Sequence, residues 1–236
     1  MRREKWEHAL SDCYLFTGAD PQSILALTAA SHVLTSPIGK TLFQTGDAAD
    51  GMHIVLSGLV RIWIADSDGR ELTLALLEAG DPFGEIALLD GLPRTANATV
   101  VERSECLVLP CRAMETVLAR DPALARHLIQ LLCELLRRNT QTIGGFAFSG
   151  LSGRLALKLY ELALSYGKLE SNHARLTRRF SQSDLASMLG VTREAVNKRM
   201  AALAHDRLVF VEDGYIVVPD LAALAARANT EAQLGA

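Results

Sequence analysis

The 236-residue chain predicts an α+β protein: an amino-terminal β jelly roll, a long helix, and a carboxy-terminal winged helix-turn-helix. Three features carry that prediction. Short β-branched or alternating runs punctuated by glycine fill positions 32–110, a leucine-spaced helical stretch follows Asp121-Pro122, and Ser181–Leu203 holds two short helical patterns around Gly190. The two halves also differ in charge. Residues 1–150 hold 13 Lys and Arg against 18 Asp and Glu, net −5, whereas 151–236 hold 11 against 9, net +2. With 49% apolar residues, the chain is ample for a sizeable core. The division reads as 1–120 for the jelly roll, 121–148 for the long helix and a hinge, and 149–236 for the winged module.

Within the first domain, Gly39-Lys40, Gly46-Asp47, Gly58, Asp68-Gly69 and Gly80-Asp81-Pro82 mark turns. Met52–Ile64 reads as a hairpin with one buried face, and Glu71–Leu77 as a further strand. Asn97–Val101 and Glu105–Leu109 read as two more. His53, alone at a strand start, reads as a surface or hydrogen-bonded side chain rather than a metal or haem ligand.

Between these strands lies Phe83-Gly84-Glu85-Ile86-Ala87-Leu88-Leu89-Asp90-Gly91-Leu92-Pro93-Arg94-Thr95-Ala96. Gly84 lets backbone approach a ligand, and a helical turn opening at Glu85 directs N–H groups toward an anion. Arg94 adds a cationic fork and Thr95 a hydroxyl donor. Glu85 would repel a phosphate, so its natural partner is a neutral sugar hydroxyl. A ribose beside a phosphate follows, as in a cyclic nucleotide. The pattern Phe-Gly-Glu-x-Ala, then Arg-Thr-Ala, at 83–87 and 94–96 resembles the phosphate-binding cassette of the cyclic AMP receptor protein (CRP/FNR) family. The resemblance implies a nucleotide site with Gly84, Glu85, Ile86, Ala87, Arg94 and Thr95.

Asp121-Pro122 starts a helix, since proline suits a first turn. Leu124, Leu128, Leu131, Leu135, Asn139, Thr142 and Phe146 recur at spacings of three and four, an a/d-like seam that predicts a homodimer through this helix. In the resembled family two adjacent polar residues of this helix meet the purine base, one from each subunit; here they are Asn139 and Thr140. Hydroxyl residues are commoner there, so Asn139 leaves cyclic GMP as an alternative to cyclic AMP. Gly144–Gly150 reads as a hinge, and a helix opening at Ser152-Gly153-Arg154 ends near Gly167.

In the helix-turn-helix, Ser181 and Asp184 form a capping-box-like start, Gly190 permits the turn, and Thr192 caps the second helix. Leu185, Leu189, Val191, Val196, Met200 and Leu203 form a small core, leaving Arg193, Glu194, Asn197 and Lys198 outward where base edges are read. Between 175 and 200, six basic residues face two acidic ones, suiting a phosphate surface. Two strands around Asp213-Gly214 add the wing. This module also resembles the family's DNA-binding domain, whose Arg-Glu-x-x-x-Arg pattern reads a palindrome. Arg193 and Glu194 match it, while Lys198 replaces the last arginine and lacks its bidentate fork. By the same resemblance Ser181, Gln182, Ser183 and Thr192 contact the DNA backbone.

The resemblance spans roughly 14–218. It implies a cyclic-nucleotide-responsive transcription regulator that binds a palindromic operator as a homodimer and works with RNA polymerase. Cys13, Cys106, Cys111 and Cys133 show no metal-ligand spacing, so free thiols, no metal and a reducing cytoplasm are expected. No apolar run approaches the ~20 residues of a membrane span. No Ser/His/Asp arrangement or metal cluster accompanies Glu85 and Arg94, so the phosphate is held rather than attacked. A nucleotide-hydrolysing enzyme and a ligand-independent regulator are the competing readings.

Overall fold

The computed structural model describes the backbone of residues 2–148 and 150–233, and side chains over 3–137, 139–140 and 150–228. The chain divides into two compact units. The first comprises residues up to 69 with Thr73–Leu136, the second Arg70–Leu72 with Arg137 onward.

In the first unit, α1 (Arg2–Asp12) and α2 (Pro21–Ala30) precede the sheet, followed by β1 (His32–Ser36), β2 (Thr41–Phe43), β3 (Gly51–Ala65), β4 (Glu71–Leu77) and β5 (Pro82–Phe83). Then come α3 (Glu85–Asp90), β6 (Asn97–Pro110), α4 (Cys111–Leu118) and the long α5 (Pro122–Phe148). The sheet runs β1-β6-β3-β4, with β2 on β6 and β5 on β3; β1, β2 and β3 each run antiparallel to β6, and β5 runs antiparallel to β3.

Two strand expectations are corrected. Met52–Ile64 is not a hairpin but lies within the single strand β3, and the segments at 97–101 and 105–109 are one strand, β6. Gly58 explains the error. Its φ is +89°, and a Cβ there would stand 2.3 Å from Arg103 O and 2.4 Å from Ser104 Oγ. The register against β6 shifts between Val55 and Val60, so this glycine makes a bulge that bends the strand instead of reversing it.

Val55, Val60, Phe83, Ala98 and Cys106 form a small core inside the roll, flanked by Leu42, Phe43, Ile62 and Leu77. A larger core joins Leu10, Leu27, Met52, Leu107, Leu109 and Met114 to Leu124 and Leu128 of α5. Asp121 fastens that joint. Its carboxylate accepts from Leu124 N at 3.0 Å, Asp20 N at 2.9 Å and the Ser23 hydroxyl at 2.8 Å, and these bonds hold its pKa below the usual range.

The first half of the predicted α5 seam is therefore corrected too, while Leu135 and Asn139 are exposed as a seam requires. Leu124 and Leu128 are 0% and 4% exposed, and Leu131 packs against the same core. Ile129 and Leu136, one residue further round at 61% and 66% exposed, form the outward stripe. The expected hinge also changes: α5 continues through Gly144 and Gly145 to Phe148, and Gly150 caps the next helix. The side chains of Thr142 and Phe146 lie outside the described residues.

The second unit contains α6 (Leu151–Tyr166), β7 (Gly167–Glu170), β8 (His173–Leu176), α7 (Gln182–Leu189), α8 (Arg193–His205), β9 (Phe210–Glu212), β10 (Tyr215–Val218) and α9 (Leu221–Gln233). The wing is a four-stranded sheet in the order β7-β8-β10-β9, twice the expected strand number. Leu185, Leu189, Val196, Met200 and Leu203 are buried as expected, while Val191 is half-buried.

Candidate functional site

In the roll, Phe83 of β5 pairs with His53 of β3, and the chain turns at Gly84 into α3. Gly84 has φ +80°, and a Cβ there would lie 2.5 Å from Arg94 Nη1. Only glycine lets the backbone pass this close to the guanidinium. The Gly84 carbonyl accepts from Arg94 Nη1 at 2.9 Å, while Nη2 donates to Gly51 O at 2.6 Å and to Asp50 Oδ1 at 3.0 Å. Phe43 stacks under the guanidinium, 4.1 Å from Cζ to the ring centre. The main chain is clamped as well: Arg94 N donates to Asp47 O, and Gly46 N donates to Arg94 O, both at 2.8 Å.

Arg94 is 3% exposed, and its Nε has no hydrogen-bond partner. A buried cation needs paired charge and satisfied donors. Here its carboxylate partner is Asp50, whose side chain is 84% exposed. The arrangement is a fixed cation, one donor short, whose anionic partner stands at the surface.

Glu85 is half-buried. Burial pushes its carboxyl above the ordinary range, against its own backbone N–H and Arg94, which pull it down. Such a group is better suited to a neutral hydroxyl than to carrying an isolated charge. Ala87 is buried, Ile86 half-buried and Thr95 exposed. The structure thus brings Gly84, Glu85 and Arg94 together. Asn139 and Thr140 are exposed on α5, in the portion assigned to the second unit.

His53 is neither a surface residue nor fully hydrogen-bonded. It is 4% exposed, stacks on Phe83 with centroids 4.8 Å apart, and its Nδ1 lacks a partner. Burial, with Arg94 adding to it, pushes its pKa down to about 4. Sequence reading also missed Asp50 and Phe43, because nothing local to them signals that Arg94 folds back between them.

In the second unit, Ser181 and Asp184 form a capping box and Thr192 accepts from Ala195 N. Gly190 ends α7 in the left-handed region. Arg193, Glu194, Asn197 and Lys198 are all exposed, as are Ser181, Ser183 and Thr192, while Gln182 is half-buried. Gln182 Nε2 donates to Asn197 Oδ1 at 3.1 Å. Glu194 is drawn below the usual carboxylate range by its own backbone N–H and the Thr192 hydroxyl, so the helix start gives it a partner of its own. Arg179 and Arg175 lie over the Tyr215 ring of the wing at 4.9 and 4.5 Å. No group of three candidate metal ligands occurs among the described residues.

Residues 34–121 match the model of the cyclic nucleotide-binding domain, and 153–227 that of the Crp-like helix-turn-helix domain. A CRP-like cAMP-activated global transcriptional regulator of Mycobacterium tuberculosis is 32% identical over 94% of this chain and 100% of its own length. The cyclic AMP receptor protein of Thermus thermophilus is 33% identical over 89% and 94%. Among solved structures, a transcriptional regulator of the CRP/FNR family from Thermus thermophilus aligns with a TM-score of 0.68 at 28% identity, covering 85% of this chain and all of that one.

Proposed function

The chain belongs to the CRP/FNR family of transcription regulators, which are not enzymes, and from that premise we propose that it is a cyclic-AMP-responsive homodimer binding a palindromic operator. The observation that carries the ligand half is Arg94, a buried cation bonded to the Gly84 carbonyl and to an exposed carboxylate. A cyclic phosphate takes the place of Asp50 at this guanidinium, Thr95 adds a hydroxyl, and the Glu85 carboxyl accepts from the ribose 2′-hydroxyl. Ile86 and Ala87 complete the turn, and Asn139 and Thr140 meet the base. The domain division at 120 and 148 is part of the same reading, with 1–120 as sensor and 149–236 as effector.

The dimer forms through α5, on the stripe that carries the exposed Ile129 and Leu136. Ala125, Ile129, Leu132, Leu136 and Asn139 repeat at spacings of four, three, four and three, one residue, or about 100°, round from the stripe buried in the core. This spacing suits a two-helix seam, with Asn139 as its polar member. On the operator, α8 enters the major groove with Arg193, Glu194, Asn197 and Lys198 toward the bases, while Ser181, Gln182, Ser183 and Thr192 lie near phosphates. RNA polymerase is the further partner, and the cytoplasm the compartment. No helix among the described residues is long and apolar enough to cross a membrane.

Calorimetric titration of the full chain with cyclic AMP and cyclic GMP tests the ligand. Cyclic AMP binds more tightly on this reading, and Arg94→Ala costs on the order of 3 kcal/mol, at least a hundredfold. Near-normal affinity in that variant would remove Arg94 from the site. Tighter binding of cyclic GMP would assign the base preference to the Asn139 substitution instead.

A further inference from the structure

Gln182 is the first residue of α7 and Asn197 stands one turn into α8, yet their amides meet across the two helices at 3.1 Å. Asn197 is exposed, between Arg193 one turn before it and Lys198 next to it. A carboxamide has one acceptor oxygen and one two-hydrogen donor nitrogen. The bond engages one hydrogen of Gln182 Nε2 and one lone pair of Asn197 Oδ1, so the groups it leaves wholly unengaged are Asn197 Nδ2, which donates, and Gln182 Oε1, which accepts. Turning both amides over exchanges the labels but again leaves one donor and one acceptor.

That pattern selects a base. In the major groove adenine offers an acceptor, N7, beside a donor, N6; guanine offers two acceptors, cytosine a donor alone, and thymine an acceptor beside a methyl group. An asparagine free to rotate could satisfy several of these edges. One whose oxygen is tied to a neighbouring helix cannot, and its side-chain freedom is already given up before DNA arrives.

We propose that Gln182 and Asn197 act as one unit that reads an adenine, Gln182 serving as a positioning residue for Asn197 in place of the phosphate contact given to it above, which Ser181, Ser183 and Thr192 keep. This rests on the docking of α8 in the major groove proposed above. It also accounts for readout beside Lys198, whose point charge discriminates bases less well than an arginine fork.

The test uses the full-length protein with saturating cyclic AMP. A duplex is selected by the parent from a random pool, and anisotropy titrations then compare all four base pairs at every half-site position. One position should favour adenine by roughly tenfold or more. Gln182→Ala and Asn197→Ala should each lose most of that preference at the same position, and the double variant should lose little more than either alone. All three should still bind a scrambled duplex, which reports that the helices remain folded. Gln182→Glu is the sharper variant: a carboxylate only accepts, so Asn197 must turn its nitrogen inward and present oxygen, and the adenine-to-cytosine ratio should fall. The added negative charge weakens every duplex alike and cancels in that ratio.

If Gln182→Ala weakens every duplex equally and keeps the adenine preference, Gln182 is a phosphate contact and the proposal fails. The proposal fails equally if no position favours adenine. A parent that enriches no sequence at all would instead overturn the underlying reading of operator binding.

Discussion

At the scale of single residues, Arg94 is bonded to Asp50 and to the carbonyls of Gly51 and Gly84, so the phosphate proposed to bind there would compete with a carboxylate. Asp50→Asn removes the competing charge while leaving both carbonyl contacts. It should tighten cyclic nucleotide binding severalfold by calorimetry; weaker binding would mean that Asp50 aligns the guanidinium. His53 makes a prediction about acid stability. Buried and neutral, it protonates only near pH 4 in the folded chain, against an ordinary value of 6.5. Between those values the unfolded chain holds the extra proton. Stability is therefore fully present above about 6.5 and is lost as pH falls toward 4, by an amount on the order of 3 kcal/mol for the full shift. His53→Phe keeps an aromatic ring beside Phe83 and should flatten that fall, as thermal melts from about pH 7 to about pH 4.5 would show. An unchanged slope would assign the acid sensitivity to other groups.

Among the elements, α5 shows how far sequence pattern reaches. Its start at Asp121-Pro122 was legible, because proline at a first helical position is a local signal, whereas its end was not, since the glycines expected to form a hinge continue the helix to Phe148. Nor was the face it turns to its own domain. Two apolar stripes lie side by side, Leu124-Leu128-Leu131-Leu135 and Ala125-Ile129-Leu132-Leu136, and only the packing of Leu124 and Leu128 into the amino-terminal core tells them apart. Leu136→Glu should accordingly yield monomers in sedimentation with the sensor's melting temperature retained. Leu131→Glu should instead lower that melting temperature, by burying a charge against the core. The opposite pairing of effects would put the interface on the leucine stripe. A similar ambiguity hid β3 and β6. Gly58 and Glu102-Arg103-Ser104 have the composition of turns, yet they form a bulged pairing whose course is set by the strand opposite. The glycine turn at Gly84 and the helix-turn-helix were legible because each needs particular residues at short spacing. Asp50, a remote partner of Arg94, and the Gln182–Asn197 bond are tertiary and left no local trace.

Across the whole molecule, an acidic half that holds a buried arginine is joined through α5 to a half with a local basic excess over 175–200. A sensor and an effector on one chain make a switch only if the nucleotide favours the DNA-competent state, since a ligand shifts an equilibrium by no more than its differential affinity for the two states. By linkage the operator must then tighten nucleotide binding by the same factor. Salt dependence separates this effect from simple charge attraction. The counterion slope reflects phosphate contacts and should stay constant while the affinity moves. The most direct measurement is the affinity of the full-length protein for its selected operator at two salt concentrations, with and without saturating cyclic AMP. Cyclic AMP should tighten binding by about 5- to 150-fold at both salts with an unchanged slope, and Arg94→Ala should abolish the difference; equal operator affinity with and without cyclic AMP in the parent would contradict the proposed switch.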